Sequence, residues 1–122
     1  MILVDTSVWV DHLRKSEAGL RRLLESGQVL SHSFVIGELA MGSFRRRDVL
    51  LKELGDLPRA AVANDDEVLH FISKEAIYGL GIGYVDAHLL AAVRLMPGTL
   101  LWTRDKRLLA IASKLHLAAA ER

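Results

Sequence analysis

The stretch ILVDTSVWVDHL, from Ile2 to Leu13, constrains the fold more than any other part of this chain. Three aliphatic residues, the text of a strand buried on both faces, stop at an acid and pass through two hydroxyls into an amphipathic pattern. A strand that hands over directly to a helix opens a βα unit, and such units build parallel sheets covered by helices. The carboxylate at the handover needs its own explanation. An ionised Asp where a buried run ends is costly unless it is hydrogen-bonded, paired or coordinated to a cation.

The same alternation of short aliphatic runs and 3.6-residue patterns continues along the chain. Ile2 to Val4 reads as the first strand, and Ser7 as the cap of a helix reaching about Lys15. Ala18 to Glu25 forms a second helix stopped by Gly27, Val29 to Ser31 a short strand, and Ser33 to Ser43 a helix apolar nearly all round. Arg47 to Leu54 is a charged helix, and Pro58 to Ala63 an edge strand whose proline lacks a ladder donor. A helix from Asp65 to Tyr78 starts with three acids matched to its dipole, and Gly79, Gly81 and Gly83 form a loop. Tyr84 to Met96 is a helix ended by Pro97 and Gly98, Thr99 to Thr103 a strand, Asp105 to Leu115 the last helix, and Leu117 to Ala120 a final short strand. The expectation is an α/β fold with a mainly parallel central sheet, as one domain over residues 1–122.

Composition removes several chemistries. No cysteine is present, so disulfides, thiolate metal sites and cysteine nucleophiles are excluded. The five histidines are dispersed and show no zinc spacing, and Ser7 has no triad pattern around it. Gly79, Gly81 and Gly83 lack the preceding strand and following Lys-Ser/Thr of a phosphate loop. No apolar run reaches the ~18 residues of a membrane span and no basic region precedes Asp5, so a soluble cytoplasmic protein is expected. Sixteen Lys and Arg against fifteen Asp and Glu leave a net charge of +1, which alone predicts no polyanion binding. Basic residues nevertheless cluster at Arg45, Arg46 and Arg47 and at Arg104, Lys106 and Arg107. Trp9 and Trp102 read as core residues.

Sorting the carboxylates by their neighbours isolates four. Asp11, Glu17, Glu121 and most others lie in polar stretches or at helix starts and read as solvated. Asp5 ends the first strand, and Asp105 follows LLWT at the end of the other strong one. Glu38 is the one charge of its helix, with Phe34, Val35, Met41 and Gly42 on its own face. Asp86 shares a face with Leu90 and Val93. Capping or dipole pairing accounts for Asp86 or Asp105 taken singly, and an Asx turn for Asp5. One account covers all four: parallel α/β sheets gather function at the carboxyl ends of their strands, where neighbouring strands would bring these acids together. Four carboxylates in one cleft call for a cation, and oxygen-only donors suit Mg²⁺ or Mn²⁺. Such acidic centres activate water for phosphoryl displacement.

These residues resemble the PIN-domain nucleases, and within them the VapC-type toxins of toxin–antitoxin pairs. ILVDTSVWVDHL matches the opening motif, GELAMG the helical Glu, GYVDAHLLAAVRL the third acid and LLWTRDKRLLAIA the fourth, in order over essentially the whole chain. The resemblance implies a three-layer αβα sandwich and a Mg²⁺- or Mn²⁺-dependent endoribonuclease, usually a homodimer, silenced by a cognate VapB-type antitoxin. Asp5, Glu38, Asp86 and Asp105 would be its acidic set. Thr6, Ser7 and Thr103 fall on polar positions that orient carboxylates or bound water. Arg104 departs from the pattern, standing where many relatives carry a small polar residue, and is expected to meet a substrate phosphate. Lys106, Arg107 and Arg45 to Arg47 are expected RNA-backbone contacts. Val35, Leu39, Phe44, Leu50, Leu51 and Leu54 supply an expected antitoxin groove.

Two readings of other classes compete. A signalling receiver would want paired acids at the first strand end, yet Asp5 is followed by Thr6. A catalytically silent PIN-like module that binds RNA or a partner would not need all four acids.

Overall fold

The computed structural model describes residues 1–122 and contains three strands and seven helices. β1 (Ile2–Val4) lies between β2 (Val29–Leu30) and β3 (Leu100–Trp102), all parallel. Ile2 pairs with both Val29 and Leu100, and Val4 with Trp102, so β1 and β3 end level with each other. Every residue of β1 is buried although its side chains alternate between faces, so helices cover the sheet on both sides in an αβα sandwich. The two strands expected at 58–63 and 117–120 shrink to single parallel bridges, Ser31 with Arg59 and Leu101 with Ala118. Pro58 offers its carbonyl to Ser31 but has no N–H to return, which limits the first.

The helices are α1 (Thr6–Arg14), α2 (Ala18–Glu25), α3 (Ser33–Ala40), α4 (Arg47–Asp56), α5 (Asp65–Lys74), α6 (Tyr84–Leu95) and α7 (Lys106–Lys114). α5 opens on a capping box between Asn64 and Glu67 and ends earlier than its pattern suggests, because Ala76 adopts a left-handed φ of 53°. α6 is the central helix. Its residues Ala87 to Val93 are all buried, and it packs against both β3 and α5. Trp9 and Trp102 lie in the core, as expected.

The first helix corrects one expectation. Asp5, not Ser7, occupies the position before α1, and its carboxylate makes no capping bond. Capping is the ordinary use of an Asp there, so its side chain is held for another purpose.

Candidate active site

That purpose becomes visible at the carboxyl end of the sheet. Ser7 Oγ and Thr103 Oγ1 both donate to Asp5 Oδ2, at 2.7 and 2.8 Å. Each hydroxyl is itself held by a backbone N–H of the β3–α7 turn: Arg104 N–H donates to Ser7 Oγ at 3.0 Å and Asp105 N–H to Thr103 Oγ1 at 3.1 Å. With their lone pairs so occupied, both hydroxyls point their protons at Asp5. Asp5 is only 5% exposed, and its Oδ1 accepts nothing from the protein without being sealed from solvent.

The other three acids follow the same rule. Thr6 Oγ1 donates to Glu38 Oε1 at 2.8 Å, Gly83 N–H to Asp86 Oδ2 at 3.1 Å, and Leu108 N–H to Asp105 Oδ1 at 2.9 Å. In each case one oxygen is tied to the fold and the other has no protein partner. Thr6 is the first residue of α1, so its bond draws α3 to the start of that helix, beside Asp5.

The charges of the other three acids reach Asp86. Burial holds the Asp86 carboxyl above its ordinary range, against the stabilising Gly83 N–H, and the charges of Asp5, Asp105 and Glu38 push it further the same way. As the side chains stand, no three acids reach one point closely enough to ligate a single ion. The donor chemistry nonetheless fits a hard dication, because the set is oxygen only and negatively charged. Glu38 and Asp105 are exposed, each held by a single bond, whereas Asp5 is buried and held by two.

Several expectations change here. Glu38 is exposed, not buried on an apolar face, because α3 ends at Ala40 and Met41, 88% exposed, lies in the turn beyond. Arg104 meets carboxylates: it pairs with Asp11, Glu17 and Glu121, three acids that read as solvated in the sequence. Arg47 is tied down as well, by the Ala40 carbonyl and Asp48. Arg45, Arg46, Lys106 and Arg107 are exposed and form no ion pair. The Arg107 side chain lies on Gly81, whose φ of 85° and missing Cβ admit it, in the loop leading to Asp86. Of the groove residues, Val35, Leu39 and Leu54 are core. Leu39 and Phe44 join Val10 and Leu13 in walling a cleft that opens on Thr6, Arg14 and Glu38. Arg14 escaped the sequence reading, although Thr6, Val10, Leu13 and Arg14 follow the i, i+4, i+7, i+8 spacing of one helix face.

The PIN domain family model matches residues 2–114, and the chain belongs to that family. Within it the chain is similar to the VapC-type members. It is 48% identical over 121 residues to Ribonuclease VapC32 of Mycobacterium tuberculosis, covering 99% of this chain and 98% of that protein. Two solved structures share the fold: PAE2754 from Pyrobaculum aerophilum, at a TM-score of 0.60 and 20% identity, covers 90% of this chain and 83% of its own. The second, FitAB bound to an IR36 DNA fragment, has a TM-score of 0.61 and 18% identity, covering 100% of this chain and 99% of its own. No helix of the chain is long and apolar enough to cross a membrane.

Proposed function

We propose that this chain is a Mg²⁺- or Mn²⁺-dependent endoribonuclease, the toxin of a toxin–antitoxin pair. The observation that carries the reading is the four-fold repetition at the sheet end: Asp5, Glu38, Asp86 and Asp105 each have one oxygen fixed and one free. Similarity over nearly the whole length to a protein named as a ribonuclease supports it.

Asp5, Asp86 and Asp105 would hold the ion through their free oxygens, while Glu38 completes a second ion site or accepts a proton at Oε2. When bound, the ion supplies an activated water at neutral pH and offsets charge on the phosphate. Ser7 and Thr103 keep Asp5 in one orientation throughout. Lys106, Arg107, Arg45 and Arg46 have no ion-pair partners to surrender and contact the RNA backbone, so binding weakens as salt rises. A shallow centre of this kind takes an exposed phosphate, which favours single-stranded or looped RNA.

The cleft between α1 and the end of α3 is the place for a VapB-type antitoxin, since its apolar walls lead directly to Glu38. The working form is a homodimer in the cytoplasm. The test is digestion of end-labelled single-stranded RNA by the purified protein with Mg²⁺, Mn²⁺ or chelator, beside the Asp5→Asn variant. Cation-dependent products with 5′-phosphate and 3′-hydroxyl ends, reduced at least 100-fold in the folded variant, are expected. Equal cleavage by Asp5→Asn refutes the assignment.

A further inference from the structure

Arg104 stands between two groups of the acidic centre, Thr103 and Asp105, and its surroundings are unusually complete. Nη1 donates to Asp11 Oδ2 at 2.9 Å and to Glu17 Oε1 at 2.8 Å, and Nη2 to Glu17 Oε2 at 3.3 Å and to Glu121 Oε1. Nε donates to Glu121 Oε1 at 3.1 Å. A guanidinium has five N–H donors, so none is left for a phosphate. The same group lies over the Trp102 ring, 5.5 Å from its centroid, while Trp102 Nε1 donates to Glu121 Oε2.

The three acids come from different parts of the chain. Asp11 is on α1, the helix that starts beside Asp5; Glu17 precedes α2; Glu121 follows the segment bridged to β3 through Ala118. Between Trp102, where the ladder with β1 ends, and Lys106, where α7 begins, the turn's N–H groups are held by Ser7 and Thr103 hydroxyls. Ser7 and Thr103 tie the turn to Asp5 and the first turn of α1, and Arg104 adds a second tie further along that helix, at Asp11.

We propose that the Arg104 cluster is a strut: Asp11, Glu17 and Glu121 grip the guanidinium and thereby fix the β3–α7 turn, and with it Thr103 and Asp105, against Asp5. Arg104 is a positioning residue that acts through Thr103 and Asp105 and does not bind RNA. The role rests on the nuclease reading above. Glu17 and Glu121, both held below the ordinary carboxylate range chiefly by their bonds to Arg104, behave as charged partners at neutral pH. Strut and phosphate ligand make opposite predictions for the acids. Neutralising the grip loosens a strut, but frees a phosphate ligand and removes negative charge from its neighbourhood.

The experiment compares wild type with Arg104→Ala, Arg104→Lys, Glu17→Gln and the Glu17→Gln/Glu121→Gln pair. Mn²⁺ binding to the RNA-free protein is followed by electron paramagnetic resonance, and kcat and KM are measured on a single-stranded oligoribonucleotide at two salt concentrations. Folding of each variant is checked by circular dichroism, with Glu17→Gln as the mildest perturbation. A strut predicts that the acid pair and Arg104→Ala both lose 10- to 100-fold in kcat and in Mn²⁺ affinity with KM little changed, in the range for groups that orient metal ligands. Combining Arg104→Ala with the acid pair adds nothing further, since the residues act as one unit. Arg104→Lys recovers part of the loss. Tighter RNA binding by the acid pair, together with a raised KM and a salt slope reduced by about one in Arg104→Ala, overturns the proposal and makes Arg104 a phosphate ligand. Folded variants with wild-type kcat and Mn²⁺ affinity but a lower melting temperature overturn it too. A wild-type protein that neither binds Mn²⁺ nor cuts RNA overturns the nuclease reading itself, and the strut's role with it.

Discussion

Replacing Thr103 by Val keeps the shape of a side chain that is 2% exposed and removes only its hydroxyl. Two bonds go with it: the 2.8 Å donation to Asp5 Oδ2 and the 3.1 Å acceptance from Asp105 N–H. A hydrogen bond to a charged group contributes about 1.5–3 kcal/mol, and an orphaned, partly buried N–H adds to the loss, so a stability decrease of roughly 2–4 kcal/mol is expected in denaturant titration. The effect on function is separable from it. Asp5 keeps one donor, Ser7 Oγ, and gains freedom to rotate, while Asp105 loses the tie that levels it with β1. Loss of an orienting partner of a metal ligand costs about 10- to 100-fold in metal affinity or activity. Titrating Mg²⁺ against RNA cleavage, at a temperature where the variant is folded, should therefore show a midpoint shifted upward by that factor. Thr103→Ser, which restores the hydroxyl, should return it most of the way. An unshifted midpoint in folded Thr103→Val would show that the hydroxyl only supports the core and does not orient Asp5 for a cation.

Two further outcomes follow from groups whose titration the fold shifts. Asp86 is held above its ordinary range, so its ionisation opposes folding; this opposition is absent below the unfolded value and complete once pH exceeds the native one. In chelator at pH 8, Asp86→Asn, whose amide oxygen can still accept from Gly83, should melt above wild type, and the difference should vanish near pH 3. Mg²⁺ at about 100 times its Kd stabilises a binder by about 2.7 kcal/mol, an increment the variant should largely lose; a variant less stable than wild type in chelator would contradict the crowding of charge. His32, fully buried beside His88, has its pKa lowered to about 4 by burial and by that neighbour. The stability this gives is fully present above pH ~6.5 and is lost as pH falls toward 4, up to about 3 kcal/mol. His32→Asn, whose amide oxygen can still accept from Phe34 N–H, should flatten the pH 6.5 to 4.5 limb of urea stability; parallel limbs for both proteins would refute the assignment to His32.

Much of this arrangement was readable in the chain, and the parts that were not share a cause. β1, α2 and α6 announce themselves because buried strands are aliphatic and helices are periodic or capped, both local properties. The four acids stood out because each breaks such a local pattern. The depth of Glu38 is not legible locally: the pattern carries the helix through Met41 and Gly42, and only the end of α3 at Ala40 takes them off its face. The bridges at Arg59 and Ala118 were overread as strands because edge pairing depends on a partner far along the chain, Ser31 in one case and Leu101 in the other. Arg104 and its three acids are the clearest loss. Asp11, Glu17 and Glu121 each sit in polar sequence, and nothing within ten residues of them records that they meet. Only the parallel pairing of β1 with β3 closes the 87 residues between Glu17 and Arg104, and the bridge at Ala118 the 17 between Arg104 and Glu121.

The placement of charge gives these details one direction. Arg104 lies next in sequence to two members of the acidic centre, and a free guanidinium there would compete with any cation for them. Enclosed by Asp11, Glu17 and Glu121, it is outnumbered three to one, so the cluster as a whole adds negative charge to the sheet end. Two unpaired cations near the centre are Arg14, which lines one cleft with Glu38, and Arg107, which lies over Gly81. Charges more than about 8–10 Å apart are largely screened at physiological salt, so only cations close to the acids modify their field. On the nuclease reading a dication would be drawn inward by four carboxylates, whereas an RNA strand would meet the cations at the rim first. On the nuclease reading the centre would repel a phosphate until a cation is bound, so the placement of the arginines predicts that Mn²⁺ binds the RNA-free protein and that RNA binding tightens in its presence.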